Sequence, residues 1–197
     1  MFDIDGVMTD GKVLVMLSGE MVRNMNSKDG YALHLAVMKS YRLVIISGGN
    51  NEAVKNALSR TGITDVFINQ HDKLTCYNDY IKTNNLTNEE VLYMGDDLPD
   101  YEVMKKVGVA VCPNDAAEEI KSICQYISPR KGGEGCVRDV IEQVLRVQGN
   151  WEIVTYGEEI DKDGNQYYLN FVLSSRSESA LKKSFEDYKK FVSTYKP

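Results

Sequence analysis

The chain has little of what zinc sites, disulfide frameworks and membrane spans are built from. Its four cysteines (Cys76, Cys112, Cys124 and Cys136) stand far apart with no CxxC pair, which argues against a zinc centre and for reduced thiols in the cytoplasm. No apolar run approaches the ~20 residues of a membrane helix, and no signal-peptide pattern opens the chain. Positive charge is not in excess: the formal charge of −6 excludes a general affinity for nucleic acid or anionic membrane. Internal repeats and low-complexity tracts are missing as well. Only two histidines occur, and neither His34 nor His71 sits in a catalytic pattern.

What is present suits one well-formed core with some length left over: 197 residues, 43% of them hydrophobic. From residue 1 to about 151, short apolar runs alternate with helical periodicity. The runs are "LVIIS" (43–47), 66–68, "VLYM" (91–94) and "VAVC" (109–112). The amphipathic stretches are 31–39, 52–60, 73–83, 101–106, 116–124 and 137–147. Near-continuous apolar strands separated by helices predict an α/β fold with a doubly wound parallel sheet, covered on both faces. One segment breaks the rhythm. Residues 12–26 read as a small β-hairpin insertion around Ser18-Gly19.

After Trp151 the texture changes. Two alternating strands around Asp163-Gly164 and a helical "ESALKKSFEDYKKFVSTYK" predict a C-terminal ββα appendage over 152–197. The "DKDG" at 161–164 vaguely resembles a calcium loop, but the glutamate such a loop requires is missing, and a hairpin turn is the simpler reading.

Chemistry concentrates at four places, each directly after a predicted strand, where open parallel sheets bind ligands. The first is "DIDG": side chains two apart on a strand point the same way, so Asp3 and Asp5 would face one spot. Like charges packed together call for a proton on one or a cation between them, and oxygen ligands favour magnesium; a turn or cap is the alternative. The second is Ser47, followed by Gly48, Gly49 and a helix, which would seat a phosphate or merely cap the helix. The third is Lys73 at a helix start, where acids are favoured over bases; a surface lysine is the plain reading. The fourth is "GDDLPD", with Asp96, Asp97 and Asp100 crowded after "VLYM". Capping explains one of those three acids. Together the four sets are complementary, with acids for a metal, and hydroxyl, N–H and lysine for an oxyanion.

In this order and spacing, Asp3-x-Asp5-Gly-Val-x-Thr9, Ser47-Gly48, Lys73 and Gly95-Asp96-Asp97 resemble the four motifs of the haloacid dehalogenase superfamily. Within it, "FDIDGVMTDG", "NSKDGYAL", "IISGGN", "VLYMGDDLPDYEVMKKVG" and "GGEGCVRDVIEQVL" resemble the capless 3-deoxy-D-manno-octulosonate 8-phosphate phosphatases, over residues 1 to about 151. The resemblance implies a cytoplasmic, Mg²⁺-dependent phosphatase acting on a phosphorylated sugar acid in lipopolysaccharide precursor synthesis. Asp3 would be the nucleophile and Asp5 the general acid and base. Asp3, the Asp5 backbone carbonyl, Asp96 and Asp97 would hold the metal. Ser47, Gly48 and Lys73 would bind phosphate, and Asp100 would orient Lys73. Such phosphatases assemble as homotetramers whose hairpins pack together, so that neighbouring subunits complete each site. Lys28, Arg130, Lys131 and Arg138 would meet the sugar-acid carboxylate. A nine-carbon 9-phosphate substrate and a non-catalytic scaffold are the rival readings.

The scaffold reading arises because only residues 1–4 are available for the first strand, against a usual length of about five or six. Three accounts compete: further apolar residues belong upstream of Met1, the sheet tolerates a stub, or residues 167–173 fill the gap. The first is the expectation.

Overall fold

The computed structural model describes residues 1–160 and 166–174. The chain divides into two units, Met1–Val144 and Leu145–Pro197.

In the first unit the elements follow one another as β1 (Leu14–Val15), β2 (Met21–Val22), α1 (Ser27–Met38), β3 (Val44–Ile46), α2 (Glu52–Ser59), β4 (Asp65–Phe67), α3 (Lys73–Thr83), β5 (Leu92–Met94), α4 (Tyr101–Met104), β6 (Val109–Cys112), α5 (Glu118–Lys121), β7 (Tyr126–Ile127) and α6 (Cys136–Val147), the last running just into the second unit. Strands β3 and β4 pair in parallel, as do β5 with β6 and β6 with β7. The two halves meet across residues 1–3, because Phe2 bridges in parallel to Ile45 on one side and Met94 on the other. The order is therefore β4-β3-(1–3)-β5-β6-β7.

That central stub is fully engaged. Phe2 N–H donates to Val44 O (2.9 Å), and Ile46 N–H donates to Phe2 O (3.0 Å). On the other side Asp3 N–H donates to Met94 O (3.0 Å), and Met94 N–H donates to Met1 O (3.0 Å). Residues 1–3 thus hold a central place in the sheet, with backbone partners on both sides. Gln166–Ser174 forms a strand paired antiparallel with its own neighbour, as described below. A strand buried on both faces between two others needs its backbone bonds more than its length, and three residues supply them.

The core follows from strand alternation. Val44, Ile46, Tyr93, Ala110 and Cys112 share one cluster with Tyr77 of α3, Val103 of α4 and Ile120 of α5. Ile45, Met94 and Val111 alternate to the opposite face, and α1, α2 and α6 bury Leu33, Leu58 and Val140. Helix starts follow capping chemistry: Asn26, Asn51 and Asp72 each accept a backbone N–H from the first turn of α1, α2 and α3. Helix α1 thus begins four residues earlier than periodicity predicts, since "SKDG" carries no apolar stripe. Strand β7 was not predicted, being two residues long at the sheet edge.

The hairpin forms as expected, with Leu14 opposite Val22 and Val15 opposite Met21, and Gly19 at φ 82° in its turn. Its apolar side chains are not buried: Leu14, Val15 and Met21 are 63%, 67% and 51% exposed.

In the second unit, β8 (Glu152–Ile160) and β9 (Gln166–Ser174) pair antiparallel from Glu152 opposite Ser174 to Ile160 opposite Gln166. The predicted turn at 163–164 and the C-terminal helix lie outside the described residues. Among the described residues, no helix is long and apolar enough to cross a membrane.

Candidate active site

At the carboxyl ends of the central strands a pocket of about 350 Å³ opens, lined by Asp3, Asp5, Ser47, Lys73, Asp96 and Asp97 among others. The stub delivers Asp3 there from between β3 and β5. Ser47 follows β3 directly, Asp96 follows β5 after one glycine, and Lys73 begins α3.

Asp3, Lys73 and Asp100 form a buried row. Lys73 Nζ lies 2.8 Å from Asp3 Oδ2 and 2.7 Å from Asp100 Oδ1. The three residues are 6%, 4% and 0% exposed. This accounts for a lysine at a helix start: its charge is spent on two carboxylates rather than left on the helix dipole. Burial alone would lower the Lys73 pKa, but Asp3 and Asp100 outweigh it and raise it, so the ammonium keeps its proton. Asp100 is held further by the Tyr93 hydroxyl (2.8 Å) and the Asp96 N–H (3.3 Å).

The acids divide by what they lack. Oxygens of Asp3, Asp96 and Asp100 lie within 4.8 Å of one another, yet both Asp100 oxygens accept hydrogen bonds. Asp3 Oδ1 and Asp96 Oδ1 are buried without any partner. Burial, then the Asp100 carboxylate, push the Asp3 pKa up to about 7 despite Lys73. Burial, then Asp3 and Asp100, push Asp96 up to about 8. Two orphaned carboxylate oxygens that resist ionisation are the donor set a hard divalent cation satisfies, so the residues present fit magnesium. Gly6, at φ 84°, makes the approach possible, because a Cβ there would collide with the Asp96 carboxylate. Asp97 is exposed at the pocket rim, outside that cluster.

Asp5 lies in a turn closed by Val7, Met8 and Thr9 N–H groups onto Ile4 O rather than on the strand, and it lines the same pocket as Asp3. It is gripped by Arg23, whose Nε and Nη2 lie 2.6 and 3.1 Å from its two oxygens. Sequence reasoning did not single out Arg23: a lone arginine at a hairpin's foot carries no local signal. Gln70 and His71 line the pocket as well. His34 does not; its Nδ1 sits 3.2 Å from Thr61 O.

On the β3 side, Ser47 is 1% exposed, its hydroxyl accepts the Gly49 N–H at 3.2 Å, and Gly48 lines the pocket. The loop with the remaining expected cations packs onto the opening motif. Gly133 N–H donates to Val7 O (3.0 Å), Asn26 Nδ2 donates to Gly133 O (3.1 Å), and a Cβ on Gly132 would collide with Gly6 O. Lys28, Arg130 and Lys131 are exposed and do not line this pocket. Arg138 pairs with Glu142 at 3.6 Å and stacks on Tyr31, and its backbone N–H donates to buried Asp29.

The chain is similar to proteins of known family. Residues 44–141 match the family described as haloacid dehalogenase-like hydrolase. The chain is 34% identical to the 3-deoxy-D-manno-octulosonate 8-phosphate phosphatase of Yersinia pestis, covering 78% of this chain and 82% of that one. The Escherichia coli K12 enzyme of the same name is 34% identical, over 75% and 78% of the two chains. Among solved structures, that of the Moraxella catarrhalis phosphatase in complex with magnesium, phosphate and 3-deoxy-D-manno-octulosonate superposes with a TM-score of 0.74. It is 29% identical over 76% of this chain and 86% of that one. The chain belongs to the haloacid dehalogenase-like hydrolases, in the family of the 3-deoxy-D-manno-octulosonate 8-phosphate phosphatases.

Proposed function

We propose that this chain is a magnesium-dependent phosphatase that hydrolyses 3-deoxy-D-manno-octulosonate 8-phosphate to the sugar acid and inorganic phosphate, a cytoplasmic step in lipopolysaccharide precursor synthesis. The observation that carries the reading is the Asp3 carboxylate, one oxygen held by Lys73 and the other left unpartnered beside that of Asp96.

Asp3 attacks phosphorus in line, and the bond to the sugar oxygen breaks as an aspartyl phosphate forms. Asp5 gives its proton to the departing sugar oxygen, then takes one from the water that hydrolyses the intermediate. Lys73, the Ser47 hydroxyl and the Gly48 N–H hold the non-bridging oxygens, with charge already aligned before the reaction begins. Asp100 keeps Lys73 at that post. Asp3, Asp96 and the Asp5 carbonyl would hold Mg²⁺, with Asp97 assisting through water, and the bound ion supplies the positive charge that lets an anionic nucleophile approach an anionic phosphate.

The exposed hairpin supports a homotetramer. Apolar side chains this open on both strands form a patch of the kind that marks an interface, and a second copy supplies an identical apolar surface. Assembly would also cover a pocket that is open to water, and bring exposed cations such as Lys28, Arg130 and Lys131, along with Arg138, towards a sugar-acid carboxylate.

Phosphate release from eight- and nine-carbon sugar-acid phosphates, with Mg²⁺ and with EDTA, tests the reading. Turnover of the eight-carbon substrate that vanishes in EDTA and in Asp3→Asn supports it. Higher kcat/KM on the nine-carbon 9-phosphate would reassign the substrate, and equal turnover by Asp3→Asn would end the mechanism.

A further inference from the structure

The Arg23–Asp5 pair is the strongest polar contact at the pocket that the four motifs do not explain. The two residues are 18 apart in sequence and belong to different devices, Asp5 to the opening turn and Arg23 to the chain leaving β2 of the hairpin. The contact is bidentate, at 2.6 and 3.1 Å, and a planar guanidinium fixes the plane as well as the position of a carboxylate it grips in this way. The Arg23 side chain is only 7% exposed while that of Asp5 is 34% exposed, so the fixed partner is the arginine and the one facing the pocket is the acid. Arg23 is held in turn by Met21 O, 3.4 Å from Nη1. Apart from Arg23, the side chain of Asp5 is met by the Thr9 hydroxyl, at a long 3.5 Å. Gly49 closes the pair from the phosphate side, since a Cβ there would stand 3.1 Å from Asp5 Oδ2 and 3.6 Å from Arg23 Nη2.

We infer that Arg23 is the positioning residue of Asp5, fixing the direction from which the carboxylate takes a proton from the attacking water. The inference rests on the proposed function, which gives Asp5 its role. A carboxylate in an open turn has several staggered orientations, and a misplacement of about 1 Å at a proton-transfer group can cost on the order of 10²-fold in rate. Arg23 removes that freedom through the hairpin, so the arm that carries the exposed apolar patch also sets the geometry of the acid.

The experiment compares wild type, Arg23→Ala and Arg23→Lys on the eight-carbon substrate and on p-nitrophenyl phosphate, each with and without added guanidinium chloride at millimolar concentration. The expected result is a fall in kcat of roughly 30- to 100-fold for Arg23→Ala, with KM within threefold and the magnesium requirement retained. Arg23→Lys, which restores charge but not the fork, recovers part of the loss. Added guanidinium recovers activity in Arg23→Ala and leaves Asp5→Asn inactive, an outcome that a purely structural role for the side chain would not produce. The inference is overturned if Arg23→Ala keeps kcat within twofold of wild type, if the loss falls on KM alone, or if neither lysine nor guanidinium restores any rate. If Arg23→Ala does not fold, Arg23→Lys decides: wild-type kcat in that variant also overturns it, because a lysine cannot make the bidentate contact. A wild-type protein that hydrolyses no phosphate monoester refutes the proposed function instead, so the two failures are told apart.

Discussion

Replacing Asp3 by Asn should stabilise the metal-free protein while abolishing turnover. The Asp3 carboxyl is pushed from its ordinary 3.8 up to about 7, by burial first and by Asp100 second. At ~1.4 kcal/mol per pKa unit, ionising it inside the folded chain costs at most about 4 kcal/mol. Asn removes that cost and can still accept from Lys73 through its carbonyl oxygen; the shift already contains the attraction of the ammonium, and because buried sites respond with a higher effective dielectric than a dry interior, a gain of ~2 kcal/mol is expected. In a chain of this size that corresponds to a rise in Tm of about 4–8 °C.

The pH dependence follows from the sign of the shift. The folded state holds the Asp3 proton more tightly than the unfolded chain does, so its contribution is fully present below about pH 4. It declines as pH rises through about 7 and is gone above that. Thermal melts in EDTA at pH 8 should therefore show Asp3→Asn above wild type, with the gap narrowing as pH falls and closing near pH 4. Saturating Mg²⁺ reverses the order at pH 8, because at a hundredfold excess over Kd a ligand adds ~2.7 kcal/mol to the state that binds it and the variant has lost a ligand. Wild type melting above Asp3→Asn in EDTA at pH 8, or a gap indifferent to pH, would refute the reasoning.

Three other outcomes can be checked directly. Lys73→Met leaves Asp3 and Asp100 as uncompensated buried acids, and urea unfolding at pH 8 should show a loss of about 3–5 kcal/mol, along with loss of phosphate release. Gly6→Ala puts a methyl group into the Asp96 carboxylate at a backbone φ of 84°; magnesium titrations of activity should show the half-saturating concentration raised at least tenfold, and an unchanged value would mean that Asp96 is not a ligand. If the proposed homotetramer forms through the hairpin, a Leu14→Glu/Val15→Glu pair should give smaller species by light scattering after gel filtration, and a mass equal to that of wild type would refute the hairpin contact.

The acidic motifs were legible because their chemistry is local. "DIDG" and "GDDLPD" crowd carboxylates beyond what caps or turns require, and a cation between them or a proton on one resolves that crowding. Local chemistry alone did not tell these acids apart; the resemblance did, assigning Asp3 and Asp96 to the cation and Asp100 to Lys73. Asp97 and Asp100 flank the same turn, yet Asp100 is drawn inward by Lys73 and Tyr93 while Asp97 stays at the rim, an outcome decided by residues 20 or more positions away for Lys73 and by the strand before the turn for Tyr93. The place of the short first strand was not legible for a related reason. Strand length is read along the chain, whereas the fate of residues 1–3 depends on two neighbouring strands that offer them backbone partners on both sides.

By itself the sequence determined the alternation of buried strands and amphipathic helices, the hairpin at 12–26 and the order of the four motifs, since periodicity and turn chemistry act between residues a few positions apart. Only the tertiary structure decided that Arg23 grips Asp5, that the glycines at 132 and 133 pack on the opening turn, and that Asp3 and Asp96 each leave one buried oxygen without a partner at the pocket. Those facts arise where segments far apart in the chain cross at the end of one sheet, and no local pattern of residues records which side chains a crossing will bring together.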